Sequence, residues 1–152
     1  MRLKVAAVGH WKAGPEHSLY EHFARRITFP LELKEVEEKK RLPPPALIRR
    51  EGELLLAEAP KGAVVVALDE RGKPFSSVAF AKRLGRWRDD GVRDLVFLIG
   101  GADGLDEMVR RKAALTISLG QMTWPHLMVR AMLAEQIYRA QAILSGHPYH
   151  RQ

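Results

Sequence analysis

The chain has no cysteine among its 152 residues. That absence excludes disulfides, thiolate catalysis and cysteine-ligated zinc or iron–sulfur centres, and it fits a cytoplasmic protein. No apolar run approaches the roughly 18 residues that cross a bilayer, so no membrane-spanning helix is expected. The N-terminal MRLKVAAVGHWKAG begins basic, but its apolar stretch, Val5–Val8, is too short for the core of a signal peptide. Internal repeats, low-complexity tracts and linker-like segments are also missing, so a single domain over residues 1–152 is expected. What is present is a globular balance of 46% hydrophobic and 28% charged residues, with a net charge of +7. A pI near 10.0 favours a polyanionic partner, because Lys and Arg that neutralise phosphates release counterions.

Apolar runs alternate with segments of helical period. Leu3–His10 reads as a strand, Ser18–Ile27 as a helix with Ser18 at its N-cap, and Leu31–Val36 as a strand covered on one face. After the break at RLPPP, Ala46–Ala59 reads as a helix, and Ala63–Leu68 as a strand buried on both faces. SSVAFAKRLGRWRDDG is a helix closed by Gly91, DLVFLIGG a further buried strand, LDEMVRRKA a short helix and LTISLG a fifth strand. Pro125–Ser145 reads as a long final helix with Thr123 near its start. This alternation predicts an α/β protein whose mainly parallel sheet is sandwiched by helices. Ligands of such sheets sit beyond the carboxyl ends of the strands, which selects LDERGK, GGADG and LGQMTWPH.

IGGADG is not a G-x-G-x-x-G fingerprint, and Asp103, Asp106 and Glu107 around it would repel a pyrophosphate. A ligand with adenosine but without phosphate fits better, and S-adenosylmethionine, a sulfonium cation, is one. LDERGK carries no Walker pattern, which leaves ATP-driven chemistry without support. On the last helix His126 and Arg130 stand four apart, as do Glu135 and Arg139, beside an apolar stripe of Ala131, Met132, Ala134, Ile137 and Tyr138. The chain closes on HPYHRQ. His147 and His150 lack the companions a metal site needs, so no metal is expected.

Taken in order and spacing, ALDERGK, FLIGGADG, SLGQMTWPHLMVRAMLAEQIYRAQAI and the terminal HPYHRQ resemble the RlmH (YbeA-like) group of SPOUT methyltransferases across the whole chain. The most specific part is T-x-P-H-x-x-x-R-x-x-x-x-E-Q-x-Y-R-A followed by P-Y-H-R. The resemblance implies an α/β fold with a C-terminal trefoil knot and a homodimer. It also implies S-adenosylmethionine as cofactor and methylation of N3 of a pseudouridine in 23S ribosomal RNA, with the assembled ribosome as substrate. The implied cofactor pocket is Leu68, Gly100, Gly101 and Leu119, Gly120, Gln121, Met122, Thr123 and Trp124. Gly120 stands where serine is common in the family and Trp124 where an aliphatic residue is common.

Deprotonating a uracil-type N3 asks for a general base, and the flanking carbonyl oxygens ask for donors or cations. His150 or Glu135 is the candidate base, Arg139 and Arg151 the oxygen stabilisers, Tyr149 a stacking or hydrogen-bonding group, and His126 an orienting group. Charge alone suggests Arg2, Lys4, Lys12, Arg25 and Arg26 for the RNA footprint. Two rival readings stay open: a SPOUT enzyme acting on another RNA such as tRNA, and a non-catalytic α/β protein that binds RNA or ribosomes.

Overall fold

A computed structural model describes residues 1–151. In chain order it contains β1 (Arg2–Val8), α1 (Pro15–Ala24), β2 (Leu31–Val36), α2 (Pro44–Ala57), β3 (Val64–Pro74), α3 (Ser77–Asp89), β4 (Asp94–Ile99), α4 (Glu107–Lys112), β5 (Leu115–Ser118) and α5 (His126–Ser145). The strands form one sheet in the order β2-β1-β4-β3-β5, with every neighbouring pair parallel.

Side chains along a strand alternate between faces, and both faces here are apolar. Leu3, Val5 and Ala7 of β1 and Leu95, Phe97 and Ile99 of β4 point to one side, against Phe80 and Leu84 of α3 and Leu133 and Ile137 of α5. Ala6, Val8, Val96 and Leu98 point to the other, against Leu55 of α2 and Val109 of α4. α1 joins the first layer by packing Tyr20 on Ala131 and Ala134 of α5. Each such Leu, Val or Phe contributes about 1.5–3 kcal/mol when fully buried, so the sheet centre is the rigid base of the molecule. The expected α/β sandwich is present.

Several boundaries differ from the sequence reading. α1 starts at Pro15 with Gly14 at its N-cap, and Ser18 lies inside the helix, its N–H bonded to the Gly14 carbonyl at 3.0 Å. Proline at the first turn pre-sets the helical φ, which outweighs the capping preference of Ser18. α5 begins at His126 with Pro125 at the N-cap, so Thr123 does not cap it; its hydroxyl reaches Glu70 at 3.3 Å.

The largest departure is β3, which runs to Pro74 rather than ending at Leu68. Leu68 and Lys73 both register with Ile117 of β5, so the chain from Asp69 to Gly72 swings out and returns to the same strand. Gly72 lies on the β5 backbone: a Cβ there would stand 2.7 Å from the carbonyl carbon and oxygen of Thr116. Only glycine allows that approach.

The fold also separates the residues of the charge-counted RNA footprint. Arg2 and Lys4 start β1 and are tied to Asp94 and Glu58. Arg25 and Arg26 follow α1 beside the start of β2, where Leu3 N–H bonds the Pro30 carbonyl. All four occupy the amino edge of the sheet, away from the loops after β3, β4 and β5; of the five, Lys12 alone lies in a loop at the carboxyl edge.

Candidate active site

Two cavities open at the carboxyl edge and share the wall Leu68, Ile117, Leu119 and Gly120. The first, about 260 Å³, lies among the three loops that the sequence singled out. Leu68, Gly100, Gly101, Leu119, Gly120, Met122, Thr123 and Trp124 all line it, whereas Gln121 does not. The backbone is packed tightly here: a Cβ on Gly100 would meet the Gly104 carbonyl oxygen at 2.6 Å, and one on Gly101 would meet Val8 Cγ1 at 3.0 Å. Ser118 fixes the next loop, its hydroxyl accepting from Gly120 N–H (3.0 Å) and donating to the Gly120 carbonyl (2.9 Å). Trp124 donates its indole N–H to the Leu119 carbonyl at 3.3 Å, so the residue that departs from the family pattern braces the loop. Met122 nevertheless stays 73% exposed.

The donor set suits a cationic, adenosine-bearing ligand. Leu68, Ile99, Leu119 and Val129 give apolar walls, while Asp69, Glu70 and Asp103 bring three carboxylates against one lining cation, Arg71, which already pairs with Asp69 at 3.1 Å. A pyrophosphate would be repelled, and a sulfonium or an ammonium would not. Apolar walls with a few convergent polar groups are the usual form of a small-molecule site.

His126 stands on the opposite wall, where α5 begins. Burial, reinforced by the charge of Arg130, holds its imidazole below the ordinary histidine range, so it is neutral near pH 7. Arg130 itself is fully buried, which the sequence did not reveal. It pairs with Glu35 of β2 at 2.5 Å, donates to the carbonyls of Val8 (3.1 Å) and Gly9 (2.9 Å), and stacks 4.5 Å from the Trp11 ring. This pair joins the ends of β1 and β2 to α5 and fixes His126 against Gly9.

The second cavity, about 550 Å³, lies among α1, α3, α5 and the ends of β3 and β5, with Leu19, Phe23, Phe75, Ser76, Ser77, Met132, Glu135 and Gln136 among its lining. Here the chain end folds back. Gly146 ends α5 with a positive φ of 76°, and His147 N–H bonds the Ala142 carbonyl. Tyr149 then donates its hydroxyl to Glu135 Oε1 at 3.0 Å, and Arg139 Nε donates to the same oxygen at 2.9 Å. Arg139 lies 4.8 Å from the Tyr149 ring, and Tyr138 packs edge-on against Tyr149. Burial, then the bond to Glu135, raises the Tyr149 phenol above its ordinary pKa, so it stays a donor. The bond to Glu135 keeps Arg139 firmly charged.

Arg139 Nη1 contacts His150 Nδ1 at 3.1 Å. Guanidinium has no acceptor, so Nδ1 accepts and the ring proton sits on Nε2. Glu135 Oε2 takes a single bond, from Gln136 Nε2 at 3.1 Å, and Gln136 is held in turn by the Ser77 hydroxyl at 2.8 Å. Glu135, Arg139, Tyr149 and His150 are thus one cluster. Arg151 follows it, exposed, and His126 belongs to the other cavity. Among the described residues there is no grouping of side chains that would hold a metal ion.

A family model described as a predicted SPOUT methyltransferase matches residues 1–150. The chain belongs to the SPOUT methyltransferase family. Among full-length SPOUT relatives, the "Ribosomal RNA large subunit methyltransferase H" of Paramagnetospirillum magneticum is 60% identical over 99% of both chains. That of Rhodospirillum centenum is 59% identical over the same share. A solved structure of a probable methylase family protein from Haemophilus influenzae superposes with a TM-score of 0.58 at 6% identity, covering 99% of this chain and 70% of that one. The fold is therefore shared with a protein of almost unrelated sequence.

Proposed function

We propose that this methyltransferase carries a methyl group from S-adenosylmethionine to N3 of a pseudouridine in 23S ribosomal RNA, working in the cytoplasm as a homodimer on the assembled ribosome. The full-length identity to relatives named as large-subunit rRNA methyltransferases supports the substrate. The observation that carries the chemistry is the Glu135–Arg139–Tyr149–His150 cluster, in a chain that also holds a carboxylate-bearing, apolar pocket that fits the cofactor. Residues 1–152 act as one methyltransferase domain. The approach of Gly72 to the β5 backbone is what a chain threaded through its own loop requires, and it supports the expected trefoil knot.

S-adenosylmethionine, when bound, supplies an electrophilic methyl group on a sulfonium. The loops after β3, β4 and β5 would hold and orient it, through Leu68, Gly100, Gly101, Leu119, Gly120, Met122, Thr123 and Trp124. Glu135 Oε2, the less engaged oxygen, takes the N3 proton of the target base. The Nε2–H of His150 and the guanidinium of Arg139 face the oxygens where negative charge gathers, and Tyr149 keeps Glu135 in place. Arg151 extends the same positive edge toward the RNA.

Distances along α5 support the homodimer. An α-helix rises about 1.5 Å per residue, so Glu135 and Arg139 stand roughly 13 and 20 Å along α5 from His126. Reacting atoms must approach to roughly 3–3.5 Å. A second copy that lays its Glu135 cluster over the first copy's cofactor pocket closes that gap. Exposed Leu19, Met122, Trp124 and Met128 are apolar surface for it to cover. The test mixes two inactive chains: Val129→Trp, which fills the cofactor pocket, and Glu135→Gln, which removes the base. Mixed dimers regain methyl transfer to ribosomes; no regain, with mixed dimers demonstrated by mass, refutes the shared site.

A further inference from the structure

From Arg71 to Arg88 the chain carries six basic residues and no acid. Four of these form a group outside both cavities: Lys73 at the end of β3, and Lys82, Arg83 and Arg86 on the outer side of α3. Several basic residues on other exposed helices are paired, such as Arg50 with Glu53 and Arg111 with Glu107. By contrast, none of the four has a carboxylate partner among the described residues. Aromatic rings hold two of them, Lys73 and Arg83, instead. The Arg83 guanidinium lies 5.7 Å from the Phe75 centroid and 5.8 Å from that of Trp87, and Lys73 Nζ lies 5.7 Å from Phe75.

A guanidinium resting on aromatic faces keeps its N–H edges directed outward and has already lost much of its rotamer freedom. Lys82 and Arg86, four apart on one helix face with roughly 6 Å between their Cβ atoms, extend the row. The row also leads to the reacting groups. Phe75, which supports both Arg83 and Lys73, lines the cavity that holds Glu135, together with Ser76 and Ser77 at the start of α3.

We propose that Lys73 and the α3 face Lys82–Arg83–Arg86, set on Phe75 and Trp87, form a track for the sugar–phosphate backbone of the substrate RNA. The track leads the strand into the Glu135 cavity. The inference rests on the RNA-methylating function above and names where that RNA is held. The row's charge and its lack of protein partners favour a polyanion. An acidic protein segment is the competing occupant.

The test uses the triple variant Lys82→Gln/Arg83→Gln/Arg86→Gln, all at surface positions, with Arg83→Lys as the conservative companion. The first probe is a fluorescein-labelled 15-nucleotide oligouridine, titrated by anisotropy across potassium chloride concentrations. The second is ribosomes from a strain lacking the endogenous methyltransferase. Expected is at least a tenfold loss of oligouridine affinity for the triple variant. Its log–log salt slope falls by about two, given roughly 0.7 per neutralised phosphate on a single strand. The KM for ribosomes rises with little change in kcat, while the heat of S-adenosylmethionine binding and the solution mass stay as in wild type. Arg83→Lys falls between the two. Unchanged affinity and slope overturn the proposal, as does a wild type with no affinity for oligouridine at low salt. Wild-type oligouridine binding with lost ribosome binding would assign the face to a protein, and a changed solution mass would assign it to a second copy; either outcome also overturns it. Binding to oligouridine is read without methyl transfer. A wild type that binds through this face yet methylates no RNA would refute the proposed function and leave the track standing.

Discussion

Replacing Glu35 by Gln removes the counter-ion of a fully buried guanidinium without changing the shape of the site. Arg130 has no exposed surface, whereas the Glu35 side chain is 21% exposed, so the two halves of the pair are not equivalent. In Glu35→Gln the arginine keeps the Val8 and Gly9 carbonyls and the Trp11 ring but loses its neutralising charge. Orphaning one partner of a buried pair costs about 3–5 kcal/mol. At 2–4 °C per kcal/mol for a chain of this size, Tm falls by roughly 6–20 °C. In Arg130→Met the orphaned carboxylate can reach water, keeps the Trp11 N–H at 3.0 Å, and the methionine fills the space, so the loss is smaller. Adding Arg130→Met to Glu35→Gln therefore raises Tm above that of Glu35→Gln alone. Calorimetry on the three variants and wild type completes the cycle. The coupling also has a pH signature. Burial opposes the Glu35 charge, but bonds from Arg130, the Trp11 N–H and His10 outweigh it and hold the carboxyl below its ordinary range. A depressed folded pKa stabilises above the unfolded value, near 4.3, and that stability is lost as pH falls through the folded value. The Tm gap between wild type and Glu35→Gln is thus widest near neutral pH and narrows below about pH 4. A Glu35→Gln protein within 2 °C of wild type at pH 7, or an Arg130→Met effect of equal size in both backgrounds, would refute the coupling.

The remaining expectations concern the crossing and the cluster. Gly72→Ala forces a methyl group onto the β5 backbone at 2.7 Å and should cost about 1–3 kcal/mol or more, read as lowered Tm or loss of soluble protein; wild-type stability would mean that this crossing is loose. Glu135→Gln should lower kcat by about 10²–10⁴ while leaving the heat of cofactor binding unchanged; near-normal turnover would move the base elsewhere. Ending the chain after Pro148 removes Tyr149 and His150 from the cluster and should abolish transfer with folding and cofactor binding intact. A truncated chain that still methylates would reduce the tail to decoration.

Much of the architecture was legible because period and punctuation are strong in this chain. The paired apolar runs Ala63–Leu68 and DLVFLIGG could only be strands buried on both faces, and the loops after them could only lie at the carboxyl edge. Eight of the nine residues expected around the cofactor line one cavity. Non-local geometry was not legible. The return of Asp69–Gly72 to β5 carries no periodic signal, since it depends on a strand more than forty residues later. Arg130 read as half of an i,i+4 pair with His126, and its true partner lies on another element, 95 positions away. The tail's types suggested chemistry, yet only the αL turn at Gly146 carries them back along α5 to Glu135. The basic residues were visible as composition; which of them face the site depends on the edge of the sheet they occupy.

The central claim is the position of the methyl group. Ribosomal RNA from a strain deleted for this chain, complemented with wild type or with Glu135→Gln, can be digested and mapped by mass spectrometry. The account predicts one N3-methylpseudouridine in 23S ribosomal RNA that is lost on deletion, restored by wild type and not restored by Glu135→Gln. A 23S map unchanged by deletion, or a lost methyl group found on tRNA instead, would contradict it.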